Sequence, residues 1–160
     1  MKPLPDIDVL RRTFRYDEED GALYWRVKMR NGADIGDRAG TLSNSGYIRV
    51  GMSGALYLAH RIIWKMNRGV DPAAQIDHVD GDRSNNRPGN LRLASQMQNS
   101  RNMKSMRRLK GAYPNGARWK ALIQVDRKTI YLGNFRTEEE AHAAYVAAAI
   151  EHFGEFARAA

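Results

Sequence analysis

Residues 75–102 read QIDHVDGDRSNNRPGNLRLASQMQNSRN, and their polar side chains are mostly Asp, Asn and Arg with one His. These groups coordinate hard cations and touch phosphate. A loop kept only for solubility would draw more on Lys, Glu, Ser and Gly. The segment AQIDHV is strand-like, DGDRSNNRPG is a loop and NLRLA is a second short strand. Ser95 followed three residues later by Gln98 forms a capping box, which predicts a helix from Gln96 to about Arg108. The order is therefore strand, long loop, strand, helix. Asp77 and His78 fall on the first strand, Asn90 at the start of the second, and Asn99 one turn into the helix. Asn99, Met103 and Met106 share a helical face, so the Asn99 amide should point inward with the methionines. A buried amide without a partner costs on the order of 1–3 kcal/mol, and a metal ion held jointly with Asp77 would supply one. Neighbours on a regular strand face opposite ways. Asp77 and His78 can then serve one site only if the strand bends or bulges, and the turn at Gly81 makes that the expectation.

Outward from this stretch, residues 1–59 read as short strands punctuated by turns. DGALYWRV follows an Asp20-Gly21 turn, and GYIRVGMSGALYLAHRIIW alternates around Ser53-Gly54 as a hairpin does. Residues 60–67 read as helical, ending at Gly69 before Pro72. Beyond the basic connector MRRLKGA, RWKALIQV and KTIYLGNF alternate as strands joined by a tight turn at Asp126–Lys128. Thr137 and Glu140 form a second capping box, with Glu138–Glu140 in the first turn, where the helix dipole favours acids. Ala141, Tyr145, Ala148 and Ala149 then lie on one face, small enough for close approach to a sheet, and Gly154 ends the helix.

Composition narrows the class. The chain has 160 residues, 42% of them hydrophobic, enough for a folded domain or a few very small ones. No apolar run approaches the 18 or so residues of a membrane span, and the start MKPLPDIDVLRR lacks a signal-peptide core. There is no cysteine, which removes disulfides and any thiolate metal site and suits a reducing cytosol. The net charge is +8, and it is concentrated: residues 95–136 hold ten Lys or Arg and one acid, Asp126. That distribution suits a polyanionic partner.

With these residues in place, IDHVDGDRSNN…GNLR…QNSRN resembles the HNH homing endonucleases, whose active site is the ββα-metal motif. The upstream AGTLSNSGYIRV…YLAHRIIW is similar to the segment preceding that motif in many phage-borne members. The last fifty residues resemble the plant ethylene-response-factor (Apetala-two) DNA-binding domain, often fused behind phage HNH nucleases. Carried over residue by residue, the resemblance implies that His78 is the general base and that Asp77 and Asn99 are metal ligands. It implies that Asn90 braces the loop and helps orient the base. Many members have His where this chain has Asn99, and an amide oxygen favours Mg²⁺, or Mn²⁺ in its place, over zinc. One carboxylate and one amide make a poor cage, so a DNA phosphate should complete it. The products implied are 5′-phosphate and 3′-hydroxyl ends.

The remaining polar groups are assigned by setting. Asn85 and Asn86 shape the loop, and His60 is a core or phosphate-contacting residue rather than a second base. Arg101, Lys104 and Arg108 form a stripe opposite Asn99 that faces solvent or the DNA backbone. In the C-terminal unit Trp119, Ala121, Ile123 and Val125 should face the helix. Lys120, Leu122 and Gln124 lie on the other face with Thr129 and Tyr131 beside them. Leu122, Gln124 and Thr129 depart from the arginines and tryptophans of the plant domain. Phosphate contacts are therefore expected from Arg118, Lys120, Arg127 and Lys128, with Gln124 and Tyr131 on the same DNA-facing surface.

The expectation is an α+β protein with a β-rich segment at 1–59, a ββα-metal nuclease core at 60–108 and a three-stranded antiparallel sheet packed on one helix at 111–160. It is read as a monomer with one divalent metal ion, acting on double-stranded DNA and on no membrane. Its place would be the cytoplasm of a bacterial host, encoded by a phage or mobile element. The rival reading is a non-catalytic DNA-binding regulator on the same scaffold.

Overall fold

The structure, a computed structural model, describes residues 3–30, 32–102 and 109–157. The chain forms two compact units, Met1–Ser95 and Gln96–Ala160, and is α+β. No helix among the described residues is long and apolar enough to cross a membrane.

The first unit opens with a helix that the strand-and-turn reading of residues 1–59 did not anticipate, α1 at Ile7–Thr13. Asp6 caps it by accepting from the Asp8 amide at 2.8 Å, and Arg11 and Arg12 sit in the last turn, where the dipole favours cations. Leu10 is its one buried side chain, so no apolar stripe marks the helix in the sequence. A hairpin follows, β1 (Phe14–Asp17) with β2 (Ala22–Trp25). Next comes a three-stranded antiparallel sheet of β3 (Thr41–Leu42), β4 (Ile48–Met52) and β5 (Ala55–Leu58). The helix expected over residues 60–67 is α2, Ala59–Arg68, and it ends as anticipated at Gly69, in the left-handed conformation with φ 79°. The last pair is β6 (Gln75–His78) with β7 (Leu91–Ala94), preceded by a single 3₁₀ turn at Pro88–Asn90.

One apolar cluster holds this unit. Leu10, Phe14, Leu23 and Trp25 from the N-terminal elements pack with Val50, Ile62, Ile63, Ile76 and Leu91. Leu10, Val50, Ile62 and Ile63 are fully buried, each contributing about 1.5–3 kcal/mol of transfer free energy. The boundary drawn at residue 59 from sequence thus falls inside a continuous core. Phe14 and Trp25, cross-strand partners in the β1–β2 hairpin, meet at 4.8 Å between ring centroids within that core.

The second unit begins with α3 (Gln96–Arg101). The helix expected to reach Arg108 is described only this far, because residues 103–108 lie outside the described residues. β8 (Ala112–Asn115), β9 (Arg118–Val125) and β10 (Lys128–Phe135) form an antiparallel sheet in the order β10-β9-β8, covered by α4 (Glu138–Phe153). Asp126 and Arg127 join β9 to β10 with φ of 47° and 66°, the backbone of a two-residue hairpin turn. The N-cap of α4 is half a capping box. Thr137 accepts from the Glu140 amide, while the Glu140 carboxylate reaches past the cap to the Arg136 amide at 2.9 Å. Ala121 and Ile123 of β9 are buried against Ala141, Tyr145 and Ala149 of α4. The alanines permit the close helix–sheet approach.

Candidate active site

β6 ends at His78, and the register Gln75–Ala94 through His78–Leu91 is unbroken. Ile76 and His78 therefore point to one face and Asp77 to the other. This corrects the expectation of a bulge: the ladder runs regularly to its last residue, and only then does the chain turn, with the Gly81 amide donating to the His78 carbonyl at 2.8 Å.

His78 is 3% exposed, and its Nε2 lies 3.0 Å from the Asn86 side-chain oxygen. That oxygen can only accept, so Nε2 carries the hydrogen and the neutral ring holds its lone pair on Nδ1. Burial pushes the imidazole below the usual histidine range. The Asn86 bond and the Asp80, Asp77 and Asp82 carboxylates pull upward against it without cancelling it. The ring is thus neutral near pH 7 and able to take a proton. Beside it stand two aromatic rings, His60 of α2 edge-on at 5.2 Å and Tyr47 at 6.0 Å. His60 is itself buried, and among the described residues its Nδ1 finds no hydrogen-bond partner. Burial first, then the neighbouring His78 and Arg61, push its pKa down to about 3.

Asn86 is the residue that the sequence did not single out as the partner of His78. Its backbone is fixed from the N-terminal hairpin: Tyr16 donates its hydroxyl hydrogen to the Asn86 carbonyl at 2.9 Å, and Arg87 Nε donates to the Glu19 carbonyl at 2.6 Å. Gly21, at φ 68°, makes this approach possible, since a Cβ there would lie 2.7 Å from the Arg87 amide nitrogen. Asn90 has a different task. It accepts from the Asp80 amide at 2.9 Å and donates to the Asp80 carboxylate and the Asn85 carbonyl, closing the loop from both ends. Burial would raise the Asp80 carboxyl, but the Asn85 and Asn90 amides hold it below the usual range. The Asn90 side chain thus fastens Asp80 and Asn85, whereas it is Asn86 that meets the base.

Asp77, on the opposite face, is paired with Arg92 of β7, whose Nε and Nη2 reach one carboxylate oxygen at 3.0 and 2.8 Å. The pair sits directly across the ladder and both side chains are largely buried. Among the described residues no three His, Cys, Asp or Glu side chains gather as a metal cage. A single hard carboxylate fits Mg²⁺, which keeps much of its water and takes phosphate oxygens readily. Such a donor set suits a cation shared with a phosphodiester and not a permanently loaded structural site. Asn99 lies on α3, in the second unit.

Comparison with known proteins addresses this stretch. Residues 57–101 match the HNH_3 family model, described as HNH endonuclease. This stretch is similar to the HNH endonuclease domain. An uncharacterized HNH endonuclease of Acanthamoeba polyphaga mimivirus is 37% identical over 101 residues, covering 61% of this chain and 54% of its own. The chain thus spans about half the length of the curated relative it matches. The matched segment holds α2, β6, the loop, β7 and α3, and with them His60, Asp77, His78, Asn86, Asn90 and Asn99.

Outside the HNH match, the C-terminal sheet places Lys120, Leu122 and Gln124 on the face away from α4, with Tyr131 opposite Leu122 and Thr129 opposite Gln124. Arg118, Gln124, Arg127, Lys128 and Tyr131 are exposed, and Lys120 is half-buried. Across β9 the Asn115 amide donates to the Asn134 side-chain oxygen at 2.9 Å on the same face. Arg101 is the last residue of α3. Lys104 and Arg108 lie outside the described residues.

Proposed function

We propose that the chain is a divalent-metal-dependent DNA endonuclease in which His78 is the general base. The observation that carries this reading is a buried, neutral imidazole whose Nε2–H is held by Asn86, so that Nδ1 is the proton acceptor. Nδ1 takes a proton from water as that water attacks phosphorus, and His78 lies where the strand gives way to a turn, so a phosphodiester can approach the end of β6. Asp77 and Asn99 are the residues that would hold the metal, with Mg²⁺ or Mn²⁺ suited to their oxygen donors. When bound, the ion supplies charge stabilisation at the phosphate and at the departing 3′ oxygen, leaving 5′-phosphate and 3′-hydroxyl ends. Arg92 orients the Asp77 carboxylate by gripping one oxygen. Asn90 keeps the loop closed around the base.

The C-terminal unit, with its ethylene-response-factor-like pattern, is proposed to hold duplex DNA through Arg118, Lys120, Arg127 and Lys128. Gln124 and Tyr131 would lie against the groove, and Arg101, Lys104 and Arg108 against the backbone. Such an enzyme would work as a monomer in the cytoplasm of a bacterial host, encoded by a phage or mobile element. Supercoiled plasmid incubated with the protein and Mg²⁺ should be nicked or linearised, and chelator should abolish this. His78→Ala should lower the rate by about 10²–10⁴-fold with DNA binding unchanged. Binding without cleavage under any divalent ion would favour the rival, a non-catalytic regulator.

A further inference from the structure

Arg83 lies in the loop between His78 and Asn90, five residues after the base, and a turn from another element holds it in place. The Gly46 amide donates to the Ser43 carbonyl at 2.8 Å, and the Ser43 amide and hydroxyl both donate to the Tyr47 carbonyl at 2.9 and 2.8 Å. Arg83 is laid across this turn. Its aliphatic stem runs over Gly46, where a Cβ would lie 3.7 Å from Arg83 Cβ and Cδ. Its Nη1 donates to the Ser45 carbonyl at 3.0 Å, and its guanidinium carbon sits 4.9 Å from the centre of the Tyr47 ring. The Tyr47 ring in turn packs 5.2 Å from His60 and 6.0 Å from His78. The cation is thus tied to the base through one shared aromatic platform.

What the guanidinium lacks is an acid. Among the described residues no carboxylate forms an ion pair with it. The two acids nearest in the loop are engaged elsewhere, Asp82 by the Ser84 amide and hydroxyl and Asp80 by Asn85, Asn90 and the Asp82 amide. A guanidinium has five N–H donors, and among the described residues one of them is taken up by the protein. An always-charged fork, stacked on an aromatic face and stripped of most of its rotamer freedom before binding, matches the two oxygens of a phosphate. A loop that needed only a structural pin would be served by a neutral donor, or by an arginine paired with one of its own acids.

We infer that Arg83, laid on Tyr47, is a preformed clamp for a DNA backbone phosphate flanking the one that His78 addresses. This rests on the nuclease reading, because the clamp's value is to set the register of the strand against the base. Arg83 is a substrate-positioning residue and takes no part in proton transfer. Tyr47 fixes its direction.

The test uses the full-length protein and two variants, Arg83→Met and Arg83→Lys. Arg83→Met keeps the stem over Gly46 and removes the fork. Its KM for plasmid cleavage should rise about 10-fold with a smaller change in kcat, as expected for a lost charged hydrogen bond. The slope of log K against log salt for a 30-base-pair duplex (about three turns) in chelator should fall by about 0.9, one phosphate's worth. Arg83→Lys should restore the slope but only part of the KM, because it has charge without a fork. Unchanged KM and slope in Arg83→Met overturn the clamp, as does a lower melting temperature with an unchanged slope, which would make Arg83 a loop pin. If the wild type cleaves and these outcomes occur, the nuclease reading stands and the clamp fails. If the wild type never cleaves while Arg83→Met still loses the slope increment, the phosphate contact stands and the nuclease reading fails.

Discussion

Replacing Asn86 by alanine removes one acceptor from the only nitrogen of His78 that the neutral ring uses as a donor. Asn86 is 2% exposed, so the Nε2–H would be left in a site with little access to water. A buried donor deprived of its partner costs about 1–3 kcal/mol, and the variant should unfold at correspondingly lower denaturant. The catalytic consequence is separate. A general base contributes about 10²–10⁴-fold, and an orienting neighbour typically controls about 10–100-fold of such a term, so the plateau kcat should fall within the latter range. The pH profile supplies a sign that a merely loosened fold would not. The Asn86 bond favours the protonated imidazole, so its loss should move the acid limb of kcat/KM to still lower pH. Asn86→Asp puts a carboxylate in the same place and should move that limb to higher pH while recovering much of the plateau. Plasmid cleavage across pH 5–9 (roughly the span in which histidine titrates) at saturating Mg²⁺ would give both quantities. A plateau in Asn86→Ala equal to wild type, with the limb unmoved, would falsify the assignment of Asn86 as the residue that sets the base.

Three further outcomes follow from other parts of the molecule. His60 has a folded pKa of about 3 against the ordinary 6.5, so between those values the unfolded chain binds the extra proton. Its contribution is therefore intact above pH 6.5 and lost as pH falls towards 3, by at most about 1.4 kcal/mol per pH unit, and His60→Phe should flatten urea midpoints measured from pH 7 to 4. Asn99→Ala should need more Mg²⁺ for half-maximal cleavage, whereas Asn99→His should keep activity and change the order of preferred ions; identical metal titrations for alanine and wild type would remove Asn99 from the ligands. Neutralising Arg118, Lys120 and Lys128 together with glutamine should leave the melting temperature close to wild type, since all three side chains lie on the sheet face away from α4 or at its turn. The salt slope of duplex binding should shrink by about 2.7 if all three meet phosphates, and an unchanged slope would mean the sheet is not a DNA-holding surface.

Where periodicity and capping speak in one voice, the fold was legible. α2, β6, β7, β9, β10 and α4 all carry either an alternation, a cap or a terminal glycine, and their bounds lie close to those read from residues alone. α1 was not legible, because a seven-residue helix burying only Leu10 has no stripe, and its Asp6 cap is a signal shared with any turn. The extent of the first core was equally hidden. Residues Leu10 and Ile62 belong to segments that look like separate modules, and only long-range packing puts them in one cluster.

The site shows the same division between local and long-range information. The sequence isolates Asp77, His78 and the asparagines because their types and spacing are local facts. Which asparagine serves which partner depends on how the loop closes, and four asparagines at 85, 86, 90 and 99 are chemically alike. The N-terminal hairpin decides it: Tyr16 and the Glu19 carbonyl hold the 86–87 backbone so that the Asn86 side chain meets His78, leaving Asn90 to fasten Asp80 and Asn85. Arg92 is a second case. Its pairing with Asp77 follows from the strand register, which places the two directly opposite, but that register becomes evident only when both strands are seen together. An ion pair this buried is costly to break from one side, about 3–5 kcal/mol, so Arg92 constrains Asp77 to one direction whether or not a cation is present. The bulge expected at β6 was an answer to the problem of serving one substrate from two faces. The regular ladder leaves the proposed nuclease another answer, in which the strand simply stops at His78, so that a phosphodiester crossing its end would be within reach of side chains that otherwise lie on opposite sides of a sheet.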